Sequence, residues 1–189
     1  MKTISRKSEI IFISAQLFKE KGYSAVTMRD IAQALDIKAA SLYNHIKSKQ
    51  EILVLIIIEI AAEFTNKMNI IVNSSETSIQ KLERIIEIHI DIAIRNSNEI
   101  ASLNNDWMHL ENENLSYFLK MREEYEQNFR KIVTAGITNQ EIKNLNPEVI
   151  IFSMLSTLRT LYLWYGKKKN INEKTLKSNM IQVLLNGIT

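Results

Sequence analysis

The sequence predicts an all-α protein: an N-terminal three-helix unit over residues 1–48, then a larger helical domain over 49–189, about nine helices in total. Three observations carry this. One Pro and four Gly in 189 residues leave little turn chemistry for a multi-stranded sheet. Apolar residues, which with Tyr and Trp make up 46% of the chain, recur at three- and four-residue steps. Helix starts are also legible, as Thr27 with Asp30, Ser48 with Glu51, and Asn146 before Pro147.

The stretch TMRDIAQALDIKAASLYNHIKSKQ, Thr27 to Gln50, reads as two short helices joined by a tight turn and followed at once by a third. Thr27 and Asp30 open the first, and Ile31, Ala32 and Leu35 give it one apolar face. Asp36 stands at the reversal, where a short side chain tolerates a left-handed backbone, and Ile37 plugs the corner. The next helix is expected from Ala39 to His45, with Leu42 and Ile46 inward. That leaves Lys38, Ala39, Ala40, Ser41, Tyr43, Asn44 and His45 outward, a polar face able to meet phosphates and base edges. Ser48 and Glu51 form a capping box that places Lys49 in a first turn attractive to anions. Thr27, Tyr43 and Lys49 are expected to position phosphates, and Arg29 joins them and the outward set as DNA-facing candidates.

Beyond the reader, a helix runs from Lys49 to about Val72, and the polar loop 73–78 caps the next. Ile79, Leu82, Ile85, Ile86, His89, Ile90, Ala93 and Ile94 define that helix, and further segments span Asn98 to Leu110 and Asn114 to Ile137. Asn146-Pro147 starts a helix to Tyr165 that is apolar on nearly every side, relieved by Ser153, Ser156, Thr157, Arg159 and Thr160. A chain of this size can hardly cover it, so a partner subunit is expected there. The final helix, Asn172 to Asn186, offers Leu176, Met180, Val183 and Leu184, with Ile188 beyond it. Residues 148–165 and 172–188 are therefore the expected homodimer interface, a two-fold four-helix arrangement.

With these residues in view, the chain resembles the tetracycline-repressor (TetR/AcrR-like) family of bacterial transcriptional regulators. The likeness covers about the first 55 residues: Ile10 to Tyr23 with its Gly-Tyr exit, Thr27, Ile31-Ala32, Leu42-Tyr43, His45 and Ser48-Lys49. Leu35-Asp36, Ile46 and Gln50 depart from the family's usual Ala-Gly, Phe and Glu. The resemblance implies a dimeric repressor on a pseudo-palindromic DNA operator, released by a small, largely apolar effector. It also implies an effector pocket among the middle helices, where the candidates are His89, Trp107, Met108, His109, Tyr117, Met121, Arg122, Tyr125 and Phe129. Trp164-Tyr165, Lys167 to Lys169 and Leu184-Leu185-Asn186-Gly187 resemble, less specifically, a branch in which several relatives sense acyl-CoA thioesters.

Charge agrees with a DNA reader. Residues 1–50 hold nine Lys/Arg against four Asp/Glu, whereas the remainder holds fifteen against seventeen. Lys2, Arg6 and Lys7 form a short basic leader. The absence of Cys excludes a disulfide framework and a thiolate zinc site, and fits a reducing cytoplasm. No signal peptide is legible, and the strongest apolar run, 52–62, is too short for a membrane span and carries Glu59. An enzyme is disfavoured, since Gly-rich phosphate loops and acid/base constellations are missing from the pattern. No cofactor is expected, and His89 or His109 with Asp91 or Glu111 matches no metal-ligand spacing. The remaining rival is a helical ligand-binding or scaffolding protein that has lost DNA binding.

Overall fold

The computed structural model describes residues 5–168 and 171–189, so Lys2 of the basic leader and Lys169 of the charged loop lie outside the described residues. Among these it holds nine α-helices, two 3₁₀ turns and no strand. The chain divides into two compact units, residues 1–61 with 98–119, and 62–97 with 120–189.

The first unit opens with α1 (Arg6–Lys21), capped by Ser5, whose hydroxyl accepts the Ser8 N–H at 3.1 Å. Gly22 ends it at φ 82°, a conformation only glycine adopts without strain, and its N–H returns to the Phe18 carbonyl. A 3₁₀ turn, Tyr23–Ala25, leads to α2 (Met28–Ala34) and the one-turn α3 (Ala39–Leu42). Ile10, Ala15, Phe18, Ile31, Leu42 and Ile46 are buried, as are Ile52, Leu53, Ile56 and Ile57 of α4 (Lys49–Val72). The apolar run 52–62 is thus part of a buried helix, and no helix among the described residues is long and apolar enough to cross a membrane. At the α4 start Ser48 caps as expected, but Glu51 returns to the Lys47 N–H at 2.7 Å rather than to that of Ser48, so the reciprocal half of the box is displaced by one residue.

The second unit takes the rest of α4 and α5 (Ser78–Arg95), whose start is a capping box of Thr77 with Gln80. The segment expected over Asn98 to Leu110 breaks into α6 (Ser97–Asn105) and a 3₁₀ turn, Trp107–His109, both largely in the first unit. Next come α7 (Asn112–Thr138), α8 (Pro147–Tyr165, capped by Asn146) and α9 (Glu173–Leu185, capped by Asn172). α5 packs on α8 and α9. Lys177 of α9 is ion-paired with both Asp91 of α5 and Glu173, and these bonds hold its ammonium above the usual lysine range. Gly136 lets α7 pass close to α5 and the following loop: a Cβ there would stand 2.8 Å from Ser78 Cβ and 2.5 Å from Ile142 Cδ1.

Candidate DNA-reading face and effector region

In α2 the N-cap is complete. Thr27 Oγ1 accepts the Asp30 N–H at 3.2 Å, while Asp30 Oδ2 accepts the Thr27 N–H at 2.7 Å and the Thr27 hydroxyl at 2.6 Å. These bonds, first the side chain's and then the backbone's, lower the Asp30 pKa. The Thr27 hydroxyl proton is therefore committed to Asp30.

Asp36 reverses the chain at φ 52°, as its short side chain suggested, and the Ile37 N–H closes the corner on the Ala32 carbonyl at 3.0 Å. The reading helix is shorter than expected. After Leu42 the bonds tighten to three-residue spacing, Asn44 N–H to Ser41 O and His45 N–H to Leu42 O, so 43–45 is a turn and not helix. The burial pattern is nevertheless the expected one. Leu42 and Ile46 are buried, Lys38, Ala40, Ser41, Tyr43, Asn44 and His45 are exposed, and Ala39 is half-buried. Tyr43 is 53% exposed, which leaves its ring and hydroxyl at the surface. Arg29 and Lys38 both line a depression of about 530 Å³ that includes Gln33 and Asp36.

Lys49 differs from expectation. Its ammonium donates at 2.8 Å to the Tyr23 and Val26 carbonyls and sits 4.1 Å above the Tyr23 ring, with burial lowering its pKa. It ties the 3₁₀ turn to α4 rather than standing out toward a phosphate. Arg6 and Lys7 of the leader are likewise engaged, with Glu9 and Glu51 respectively.

The nine effector candidates fall into two sets. Trp107, Met108, His109 and Tyr117 lie in the first unit. There Trp107 packs on Phe118 with ring centroids 5.8 Å apart, Met108 and Tyr117 are exposed, and His109 lies on the Tyr23 ring with centroids 5.1 Å apart. The His109 carbonyl also accepts from Gln50 Nε2 at 3.0 Å, and Gln50 Oε1 accepts the Tyr23 hydroxyl at 2.9 Å. His89, Met121, Arg122, Tyr125 and Phe129 lie in the second unit. His89 Nε2 and the Tyr125 hydroxyl share a 2.8 Å hydrogen bond, and Phe64, which the sequence reading missed, lies 4.7 Å from the His89 ring. Burial, helped by the charge of Arg159, lowers the His89 pKa to about 3, and burial pushes the Tyr125 hydroxyl up. Both rings are therefore neutral near neutral pH. Met121 and Phe129 are buried, while Arg122 is exposed and pairs with Glu126 at 3.4 Å. No group of three His, Cys, Asp or Glu able to hold a metal occurs among the described residues.

A capped two-helix turn with an outward polar face, followed by a separate all-helical unit, defines a ligand-responsive DNA-binding transcriptional regulator. The family described as "Bacterial regulatory proteins, tetR family" matches residues 10–56, and "Tetracyclin repressor-like, C-terminal domain" matches residues 75–188. The chain belongs to the TetR family. It is 25% identical over 185 residues to the HTH-type transcriptional repressor KstR2 of Rhodococcus jostii (strain RHA1), covering 97% of this chain and 91% of that one. The solved structure of the ketosteroid transcriptional regulator KstR2 of Mycobacterium tuberculosis shares the fold at TM-score 0.92 and 20% identity, covering 100% and 97% of the two chains. AibR, solved in complex with isovaleryl coenzyme A and operator DNA, shares it at TM-score 0.81 and 20% identity, covering 95% and 97%.

Proposed function

We propose that the protein is a homodimeric repressor acting in the bacterial cytoplasm, where residues 1–48 read an operator and 49–189 bind effector and partner. The carrying observation is the exposed, almost non-aliphatic face from Lys38 to His45, set on a turn whose core side is closed by Leu42 and Ile46. Lys38, Ala39, Ala40, Ser41, Asn44 and His45 meet bases or adjacent backbone, and Arg29, Tyr43 and the Thr27 end of α2 meet phosphates. Lys49 positions this surface from beneath through Tyr23 and Val26.

The dimer reading is supported by α8. Ile150, Ile151, Met154, Leu155, Leu158 and Leu161 bury one side, whereas Val149, Phe152, Leu163 and Trp164 stay exposed on the other. Thr157 and Thr160 donate their hydroxyls to the Ser153 and Ser156 carbonyls, so their protons are satisfied before any partner arrives. Val183 of α9 is 72% exposed and extends the apolar surface. Two readers held on one two-fold axis address half-sites about one helical turn of DNA apart, hence a pseudo-palindrome. The effector is a small compound with a largely apolar part, of the acyl-CoA thioester class, a reading supported by the ligand in the AibR complex and, for the acyl part, by the neutral His89–Tyr125 pair. It releases DNA only by binding the non-spanning state more tightly.

Mobility shift on the DNA upstream of the protein's own gene tests the reading. Arg29→Gln is expected to weaken all sequences and reduce the salt slope by about 1, while Asn44→Ala changes base preference at one position by about 1–3 kcal/mol. Loss of neither affinity nor discrimination in both variants would refute the assignment of this face.

A further inference from the structure

The second unit carries a polar cleft used neither by the reading face nor by the expected effector residues. It encloses about 560 Å³ between the end of α4, the start of α5 and the middle of α7. A volume of this size accommodates a small organic ligand. Four side chains across it form one relay. Lys131 Nζ donates to Asn128 Oδ1 at 3.1 Å, Asn128 Nδ2 to Asn69 Oδ1 at 2.7 Å, and Asn69 Nδ2 to Glu124 Oε1 at 2.8 Å.

A cation begins this relay and a carboxylate ends it, so both amides are fixed in orientation: turning either over would set donor against donor. Asn128 is only 6% exposed, and Asn is a poor residue for a helix interior, so an apolar pair would join α4 to α7 at lower cost. What the relay achieves is the placement of unlike charges at its two ends. Lys81 adds a second ammonium, whose hydrogen bond goes to the Val72 carbonyl at 3.1 Å. Neither Lys81 nor Lys131 has a carboxylate within ion-pair distance among the described residues. Ser78, 6% exposed, also lines the cleft, and its hydroxyl has no hydrogen-bond partner among the described residues.

We infer that this cleft binds a phosphorylated nucleoside, the nucleotide end of the effector; the link to an effector rests on the acyl-CoA reading above. Two ammonium groups with neutral partners match phosphate oxygens. The Glu124 carboxylate matches ribose hydroxyls or a purine amino group, and Gln127 and Asn73 can donate or accept. A bare inorganic anion or a fatty acid brings no hydroxyl or amino donor to Glu124, so it satisfies only the lysine end. The cleft also lies on the same two helices as the apolar site. Glu124 precedes Tyr125, and Asn69 follows Phe64 by five residues, which is about 7 Å along the α4 axis. Phe64, His89 and Tyr125 do not line the cleft and are buried, so an elongated ligand with its nucleotide end here reaches them with its acyl end only if their packing opens.

Isothermal titration of the full chain with coenzyme A, adenosine 3′,5′-bisphosphate, pantetheine and inorganic phosphate tests this. The bisphosphate and coenzyme A are expected to bind, and pantetheine and inorganic phosphate are not expected to displace the bisphosphate at equal concentration. The Lys81→Gln, Lys131→Gln double variant should weaken binding about tenfold or more, and Lys131→Arg should retain it. Wild-type affinity in the double variant, or equal displacement by inorganic phosphate, would overturn the inference. Circular dichroism of the variants separates loss of binding from loss of fold, and Lys131→Arg supplies a variant that keeps the charge. Operator release by isovaleryl coenzyme A separates the two readings. Lysine-dependent bisphosphate binding without operator release keeps the cleft and removes the effector reading. Release from wild type and double variant at one concentration removes the cleft and keeps the effector reading.

Discussion

His89 makes the second unit sensitive to acid in a calculable way. Its folded pKa is lowered from 6.5 to about 3, chiefly by burial and then by the charge of Arg159. The unfolded chain therefore binds one more proton than the folded chain across that window. A depressed folded pKa means that stability is fully present above pH 6.5 and is lost as pH falls toward 3. For a single site the loss relative to neutral pH is about 2 kcal/mol at pH 5, from the shift of about 1.4 kcal/mol per unit. The perturbation is His89→Gln, which keeps a hydrogen-bonding group near Tyr125 but cannot titrate. Urea unfolding of both proteins at pH 7.5 and pH 5 isolates the contribution, because the carboxylates common to both cancel in the difference. The stability advantage of wild type over His89→Gln should shrink by about 2 kcal/mol between the two pH values. A difference unchanged between pH 7.5 and pH 5 would show that His89 accepts a proton where it stands, and the neutral-pair argument would fail.

Three further outcomes follow from other sites. Gly136→Ala pushes a methyl to 2.5 Å from Ile142 Cδ1 and is expected to lose about 1–3 kcal/mol in thermal or urea unfolding, partly recovered by adding Ile142→Val. Lys49→Ala removes two bonds to carbonyls and a cation on Tyr23, so stability should fall by about 1–3 kcal/mol while the salt slope of operator binding stays as in wild type. A flattened slope there would return the Lys49 ammonium to the DNA phosphates. Phe152→Glu combined with Val183→Glu should convert the species seen by native mass spectrometry to the single chain of 21.9 kDa, and a persistent double mass would place the subunit contact elsewhere.

What the sequence made legible was local. Thr27 with Asp30 and Asn146 with Pro147 cap helices because capping is decided within three or four residues, and the structure shows both. Asp36 at the corner is of the same kind. The length of α3 was not legible, since a turn with three-residue hydrogen bonds keeps the same inward positions, Leu42 and Ile46, as a longer helix would. The bonds of Lys49 were not legible because the carbonyls that accept from it, Tyr23 and Val26, stand more than twenty residues earlier, and no spacing rule reports an inward turn. The same limit separated the effector candidates. Trp107 and His109 share the aromatic character of Tyr125 and Phe129, yet they belong to the other compact unit. The relay has a signature in the sequence: Asn66 and Asn69 recur at a helical step on α4, with Asn73 just past its end, and Glu124, Gln127, Asn128 and Lys131 do so on α7. Poor helix formers persisting within long helices are a signal that their side chains have other work.

The clamp of Lys177 onto Asp91 fastens α9 to α5 two residues beyond His89. If the proposed effector lies beside His89, any displacement of α5 it causes is passed through this pair to α9, the helix that presents Val183. Under two-fold symmetry each occupant then alters the free energy of the other's arrival, and the coupling is reciprocal. For the homodimer proposed above, the expected outcome is homotropic cooperativity, a dose response steeper than one molecule per chain would give, weakened in Lys177→Ala.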